Sequence, residues 1–209
     1  MTQKRGQPAQ RGKLIIISGP SGVGKSTITG QLVARRPDTY LSISMTTRPQ
    51  ARTEQNGREY WFVSRDEFHK RMEEGALLEY AEVFGNLYGT PRDKTEEALD
   101  AGQTVILEID VQGARQIKEI YPQATTIFIL PPSPKVLAER MTHRGRDSGE
   151  VAARRLGGAS GEIAAAWQHY DNMVVNDDLE QAIGEILRII DQAPPIDAAA
   201  DTGQDNIGE

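Results

Sequence analysis

The sequence predicts an α/β fold whose core is a parallel sheet flanked by helices. Two observations predict this class: apolar strand segments alternate with helical segments along most of the chain, and a glycine-rich turn joins the first strand to the first helix. The length of 209 residues suits one core with an inserted lobe and a lid. We therefore predict a single domain over residues 13–192, between a flexible basic tail at 1–12 and a flexible acidic tail at 193–209.

The first strand and the first helix enclose a phosphate-binding sequence. Leu14–Ser18 is a short apolar strand, and the residues after it, GPSGVGKST, match the P-loop spacing G-x-x-x-x-G-K-[ST]. In such a loop the backbone N–H groups surround the phosphates, the lysine contacts the β- and γ-phosphates, and the serine hydroxyl ligates Mg²⁺. The strand before it and the helix after it favour a nucleotide site over a chance glycine-rich turn. The predicted nucleotide-binding residues are Gly19, Pro20, Ser21, Gly22, Val23, Gly24, Lys25, Ser26 and Thr27.

Residues 40–90 interrupt the alternation with mostly strand-like sequence. Strands are predicted at 40–44, at 60–63 and, with a turn near Gly85-Asn86, in 77–91. Ser64 and Glu67 form a capping box for a helix that Gly75 ends. This stretch, about 45–90, is predicted to be a mostly-β lobe inserted into the parallel core. Arg48 and Arg52 follow the first of these strands in a polar turn, which favours an anion site there.

The second half of the chain returns to alternating strands and helices. Further helices are predicted from Thr90-Pro91 to Gly102, at 111–120, from Ser133-Pro134 and at 179–191, and strands at 104–110, 125–130 and 173–175. Glu108 and Asp110 occupy alternate positions of a strand in this reading, so both side chains are predicted to share one face at its carboxyl end. Ligands bind at that end of open α/β sheets, which predicts that one of these acids organises Mg²⁺.

An arginine-rich stretch at about 140–157 is predicted to be a helical lid. It carries Arg140, Arg144, Arg146, Arg154 and Arg155 around two glycines. Phosphoryl transfer spreads negative charge over the equatorial oxygens, and arginines on a closing lid stabilise that charge and exclude water. The P-loop favours this interpretation over a solvated charged helix.

Composition limits the function classes. The net charge of −6 argues against broad nucleic-acid binding, and the absence of cysteine excludes disulfides and thiolate chemistry. No signal peptide or membrane-spanning run is evident, so the predicted location is the cytoplasm, without a membrane partner. We expect a monomer or a small homo-oligomer.

Several motifs occur in an order that strongly resembles guanylate kinase. They are GPSGVGKST, SMTTR, NGREYWFV, LLEYAEVFGNLYGTP, LEIDVQG, IFILPP, RGRDSGEVAARR and VVNDD, and they cover about residues 13–191. The resemblance implies transfer of a phosphoryl group from ATP to GMP with Mg²⁺, on a fold of core, GMP-binding lobe and lid. The alternative is a non-catalytic member of the family that binds partner proteins. Such modules typically have a degraded P-loop, whereas the P-loop of this chain is intact, which argues against that alternative.

Carried over position by position, the resemblance implies a role for each matching residue. The P-loop, Arg140 and Asn176 would bind ATP, Ser26 and Glu108 would hold Mg²⁺ partly through water, and Lys25, Arg48, Arg144 and Arg155 would be catalytic. The implied GMP-binding residues are Ser44, Arg48, Arg52, Tyr60, Glu79, Tyr88, Thr90 and Asp110. Carboxylates and a hydroxyl suit guanine, whose Watson–Crick edge offers the N1–H and N2–H donors together, whereas adenine lacks this pair.

The sequence departs from the family pattern at two positions. The family usually has R-x-P-R-x-G-E, whereas this chain places Ala51 at the second arginine and has Arg52 one residue later. We expect the long, planar Arg52 guanidinium to reach the GMP phosphate from its shifted position. Glu108 replaces a frequent Asp and keeps the charge. A P-loop kinase for another small acceptor remains the alternative that the Ala51 departure leaves open.

Overall fold

The computed structural model describes residues 10–143, 157 and 161–197, and its core is a five-stranded parallel sheet. The strands follow the spatial order β2-β7-β1-β8-β9. All neighbours in this sheet pair in parallel, so their carboxyl ends meet at one edge. The strands are β1 (Lys13–Ser18), β2 (Thr39–Ser42), β7 (Thr104–Glu108), β8 (Thr125–Leu130) and β9 (Asn172–Val175).

Helices connect these strands and cover both faces of the sheet. They are α1 (Lys25–Arg35), α3 (Arg92–Asp100), α4 (Val111–Ile120), α5 (Pro134–His143), α6 (161–169) and α7 (Leu179–Gln192). Alternate side chains of β1 point to opposite faces: Ile15 and Ile17 pack in the cluster that contains α1 and α7, while Leu14 and Ile16 pack in the cluster that contains α3 and α4. Because both faces are covered, the central strands β1, β7 and β8 are mostly apolar.

A second, four-stranded sheet forms the inserted lobe. It has the order β4-β3-β6-β5 and is completed by one helix. Its elements are β3 (Met45–Thr46), β4 (Trp61–Phe62), α2 (Arg65–Glu73), β5 (Leu77–Val83) and β6 (Asn86–Pro91). β5 and β6 form a hairpin whose two turn residues, Phe84 and Gly85, both have positive φ, as tight hairpins require. Phe68 of α2 is fully buried at the centre of the lobe's own apolar cluster.

The structure corrects the predicted position of Asp110. β7 ends at Glu108, and Asp110 is the N-cap of α4, where its carboxylate accepts a hydrogen bond from the Gly113 N–H. The two acids therefore do not share a strand face, because the chain has already turned into the helix at Asp110. They nevertheless remain at the carboxyl edge of the sheet.

The boundaries predicted for the tails also differ from the structure at some residues. Arg11 pairs with Glu96 and Asp100, and the Gly12 carbonyl accepts a hydrogen bond from the Ile196 N–H. Ile196 is 3% exposed and packs in the core. Residues 10–12 and 193–197 therefore contact the domain, because this apolar side chain and these ion pairs outweigh the small, polar composition. Residues 1–9 and 198–209 lie outside the described residues.

None of the helices in the described part of the chain is long and apolar enough to cross a membrane.

Candidate active site

The P-loop connects the end of β1 to the start of α1. Gly24 caps α1 with a φ of 105°, and a Cβ at this position would lie 2.6 Å from the Asn176 amide nitrogen, so both conformation and space require glycine. The Lys25 ammonium donates hydrogen bonds to the carbonyl oxygens of Gly19 at 2.5 Å and Pro20 at 3.3 Å. The first turn of α1 contains no acidic residue, which leaves its positive end available for phosphate.

Two side chains from later in the chain fix the P-loop backbone. The buried Asn176, which follows β9, donates from its amide to the Val23 carbonyl at 2.8 Å. Arg140 of α5 donates two hydrogen bonds to the Asn176 carbonyl, both at 3.1 Å. Arg140 and Asn176 thus lie at the P-loop, where the resemblance places them, and their hydrogen bonds fix the backbone of this loop at Val23.

The residues predicted to hold Mg²⁺ are in contact. The Ser26 hydroxyl donates to one Glu108 oxygen at 2.9 Å, and the Thr29 hydroxyl donates to the other at 3.1 Å. A hydroxyl and a carboxylate beside the P-loop are the oxygen ligands that Mg²⁺ prefers, so this pair fits the ion. Thr29 was not among the predicted site residues. Its position one helical turn after Ser26 is the signal that could have identified it.

A cluster of aromatic rings and charges surrounds Arg48 in the lobe. Glu54, whose side chain is only 4% exposed, accepts two hydrogen bonds from the Arg48 guanidinium at 2.9 and 3.1 Å. The guanidinium also lies over the rings of Tyr60 and Phe62, at 5.3 and 5.5 Å from their centroids. The Tyr60 and Tyr88 rings contact edge to face. Burial raises the pKa of Tyr60 to about 12, so its hydroxyl stays protonated and can donate a hydrogen bond at neutral pH.

Arg52 follows Ala51 in the turn before Glu54, and its side chain is exposed. The Ala51 N–H donates a hydrogen bond to the Glu54 carboxylate at 2.9 Å. Glu54 therefore organises both Arg48 and the turn in which the family arginine is replaced. Sequence reasoning missed Glu54 as a site residue, although it is the final Glu of the family pattern R-x-P-R-x-G-E.

The carboxylates assigned to guanine lie where the lobe meets α4. Glu79 of β5 is 4% exposed and accepts a hydrogen bond from the Thr90 hydroxyl at 2.7 Å. Burial, with a smaller effect of the Asp110 charge, raises the pKa of Glu79 to about 7, against the opposing hydrogen bonds from Thr90. A Cβ at Gly113 of α4 would lie 2.3 Å from a Glu79 carboxylate oxygen, so any larger residue there would require the Glu79 side chain to shift. Ser44 is buried next to β3, and its carbonyl accepts a hydrogen bond from the Trp61 N–H at 2.9 Å.

A further acid borders the site from α6. Burial raises the pKa of Glu162, the Lys25 charge opposes this shift, and the Asp110 charge adds to it. Glu162 therefore lies within electrostatic reach of both Lys25 and Asp110. No sequence motif distinguished it. The predicted lid arginines Arg144, Arg146, Arg154 and Arg155 lie outside the described residues.

Comparison with known proteins decides the family. The guanylate kinase family model matches residues 11–193. A guanylate kinase from Synechocystis sp. is 49% identical over 184 residues, which cover 88% of this chain and 96% of that protein, and one from Thermosynechococcus vestitus is 52% identical over 183 residues, covering 88% and 94%. This chain belongs to the guanylate kinase family.

A solved structure agrees with this membership. The crystal structure of guanylate kinase from Anaplasma phagocytophilum superposes with a TM-score of 0.73 at 35% identity, covering 88% of this chain and 86% of that one. The predicted fold class is confirmed, and so are the resemblance and the predicted enzyme class. The chain is an ATP-dependent kinase that phosphorylates GMP to GDP, a reaction of purine nucleotide metabolism.

Proposed function

We propose that the P-loop of this chain binds ATP, that the lobe binds GMP, and that the γ-phosphoryl group passes directly between them. The observation that carries this division is the presence of two separate polar clusters, one at the P-loop and one in the lobe. Lys25 and Ser26 lie at the P-loop, whereas Arg48, Glu79 and their partners belong to the lobe. The GMP phosphate oxygen attacks the γ-phosphorus in line while the bond from that phosphorus to the β–γ bridging oxygen breaks, so ADP leaves and GDP forms. Positioning and electrostatics supply most of the catalysis.

Guanine recognition falls to the carboxylates of Glu79 and Asp110, with Ser44 and Thr90 beside them. Guanine presents two N–H donors side by side, and a carboxylate accepts both. Adenine lacks this pair of donors, so it would leave the buried Glu79 with only the Thr90 hydrogen bonds, which is costly for a carboxylate that is 4% exposed. The Thr90 hydroxyl, already bonded to Glu79, keeps one carboxylate oxygen oriented.

The GMP phosphate is bound by Arg48 and by the hydroxyls of Tyr60 and Tyr88. Glu54 and the two rings hold the Arg48 guanidinium in a fixed plane, which reduces the entropy lost when phosphate binds. Arg52 supplies the second cation from the shifted position next to Ala51. Its exposed side chain is not held by a hydrogen bond among the described residues, so it can turn towards the ligand at little cost.

The transferring group is stabilised from the P-loop side. Mg²⁺, held by Ser26 and through water by Glu108, would neutralise charge on the β- and γ-phosphates. Lys25 leaves its loop carbonyl partners for the phosphates, and Arg144 and Arg155 complete the positive shell. Arg140 and Asn176 keep the loop in its binding conformation. The enzyme acts in the cytoplasm as a monomer or small homo-oligomer, without nucleic-acid or membrane partners.

A direct test measures ADP formation by the purified chain with Mg·ATP and one acceptor at a time: GMP, dGMP, AMP, CMP, UMP, or none. We expect turnover confined to GMP and dGMP. A Lys25→Met variant, prepared identically, controls for contaminating kinases and should be nearly inactive. Preference for another acceptor, or nucleotide binding without turnover on any of them, would refute the proposal.

A further inference from the structure

Gln116 of α4 binds the backbone of the residue next to Glu79. Its side-chain carbonyl accepts a hydrogen bond from the Tyr80 N–H at 3.2 Å, and its amide donates to the Tyr80 carbonyl at 2.8 Å. β5 is an edge strand of the lobe sheet, and both Tyr80 groups point away from that sheet. The Gln116 carboxamide therefore replaces a neighbouring strand at one position of an otherwise open edge.

This contact lies next to an irregularity of the lobe sheet at Glu79. The β5–β6 register is regular from Tyr80 onwards, but it shifts between Leu77 and Tyr80, and Glu79 lies within that irregularity. At a bulge the ladder is locally disrupted and the side chain is re-aimed. The Thr90 hydroxyl of β6 orients one Glu79 carboxylate oxygen. The backbone position from which the Glu79 side chain extends depends in addition on contacts outside the ladder, and the Gln116–Tyr80 pair is immediately adjacent.

α4 carries three site contacts at intervals of three residues. Asp110 caps the helix, Gly113 leaves space for the Glu79 carboxylate, and Gln116 binds Tyr80. Residues three apart share one side of a helix. Ala114 and Ile117, which lie next to this side of the helix, pack in the core, so α4 is a fixed reference for the lobe edge.

We propose that Gln116 is a positioning residue for guanine recognition, which holds β5 against α4 so that the Glu79 and Asp110 carboxylates lie side by side. This inference rests on the proposed roles of Glu79 and Asp110. Gln116 touches neither substrate nor reacting atoms, so it acts on binding of the acceptor base and not on the chemical step. The consequence is a selective effect on GMP, with ATP binding unchanged.

The test compares Gln116→Met, which preserves bulk but loses both hydrogen bonds, with Glu119→Ala, an exposed position on the same helix, as control. Gln116→Ala serves as a second variant should the first fold poorly. Loss of two neutral hydrogen bonds predicts a rise of about tenfold in KM for GMP, with kcat changed by less than about twofold. KM for ATP should stay constant. The preference for GMP over IMP, whose base lacks the 2-amino group, should also fall.

A double-mutant cycle with Glu79→Gln separates failure of this inference from failure of the proposed function. If Gln116 acts through Glu79, its substitution adds little once Glu79 is replaced. An unchanged KM for GMP in Gln116→Met, an equal rise in both KM values, or full additivity with Glu79→Gln would each overturn the inference. Glu79→Gln alone leaving KM for GMP unchanged would instead refute the guanine role on which it rests.

Discussion

Replacing Glu79 by Gln should stabilise the protein at neutral and alkaline pH while damaging its specificity. Glu79 is 4% exposed, and its carboxylate is held beside Asp110. A buried carboxylate favours its protonated form, so folding at high pH must pay for an ionised group that water would solvate better. Gln has a similar shape, can accept the Thr90 hydrogen bond, and carries no charge.

The size of the effect follows from the raised pKa. The pKa of Glu79 rises from an ordinary 4.5 to about 7. At about 1.4 kcal/mol per pH unit, this corresponds to about 3 kcal/mol. The folded state binds the Glu79 proton more tightly than the unfolded state does. The contribution of protonated Glu79 to the free energy of unfolding is therefore fully present below about pH 4.5 and is lost as the pH rises through about 7. The Gln side chain of Glu79→Gln does not ionise. The free energy of unfolding of this variant, relative to that of the parent, should therefore increase by about 3 kcal/mol between pH 4 and pH 8.

The assay is urea unfolding of both proteins across that pH range, without nucleotide. The difference between the two free energies of unfolding cancels every other titrating group that the substitution leaves unaffected. We expect this difference to be flat below pH 4.5, to rise between 4.5 and 7, and to level off above 7. A difference that is constant over the whole range would show that Glu79 is not an acid destabilised by burial.

The remaining predictions concern the phosphate-binding side chains. Lys25→Met should lower kcat by about a thousandfold, since it removes a cation from the transferring phosphoryl group, with an unchanged circular dichroism spectrum as the folding control. Glu54→Gln should raise KM for GMP by about tenfold, because the Arg48 guanidinium loses a charge-assisted fork, and steady-state kinetics with ATP saturating would detect this. Arg52→Ala should raise KM for GMP more than it lowers kcat, in contrast to an Arg58→Ala control; equal kinetics for the two variants would remove Arg52 from the site.

Local signals predicted much of the fold. The helix predicted at 111–120 is observed with those bounds, and the Ser64 hydroxyl accepts the predicted hydrogen bond from the Glu67 N–H at 3.1 Å. These features depend on residues three or four apart, whose interaction is readable from spacing. The strand predicted at 60–63 is shorter, Trp61–Phe62, because its parallel partner β3 has only two residues.

Contacts between distant parts of the chain could not be predicted in this way. The Asn176 amide bonds the Val23 carbonyl across 153 positions of sequence, and Gln116 binds Tyr80 across 36. Gly113 is required because the Glu79 carboxylate lies against it, which only the packing of β5 on α4 reveals. Motif order predicted the residues of the site, whereas the three-dimensional arrangement shows which other side chains contact them.

The most direct measurement of the central claim is kcat/KM for GMP in the parent and in Glu79→Gln, at saturating Mg·ATP and pH 8. If the buried Glu79 carboxylate accepts the guanine N–H donors, its replacement should lower kcat/KM by about a hundredfold. This is the effect expected when charge-assisted hydrogen bonds are lost from a site that excludes water. KM for ATP should not change. Equal values of kcat/KM for GMP in the two proteins would contradict the assignment of guanine recognition to this site.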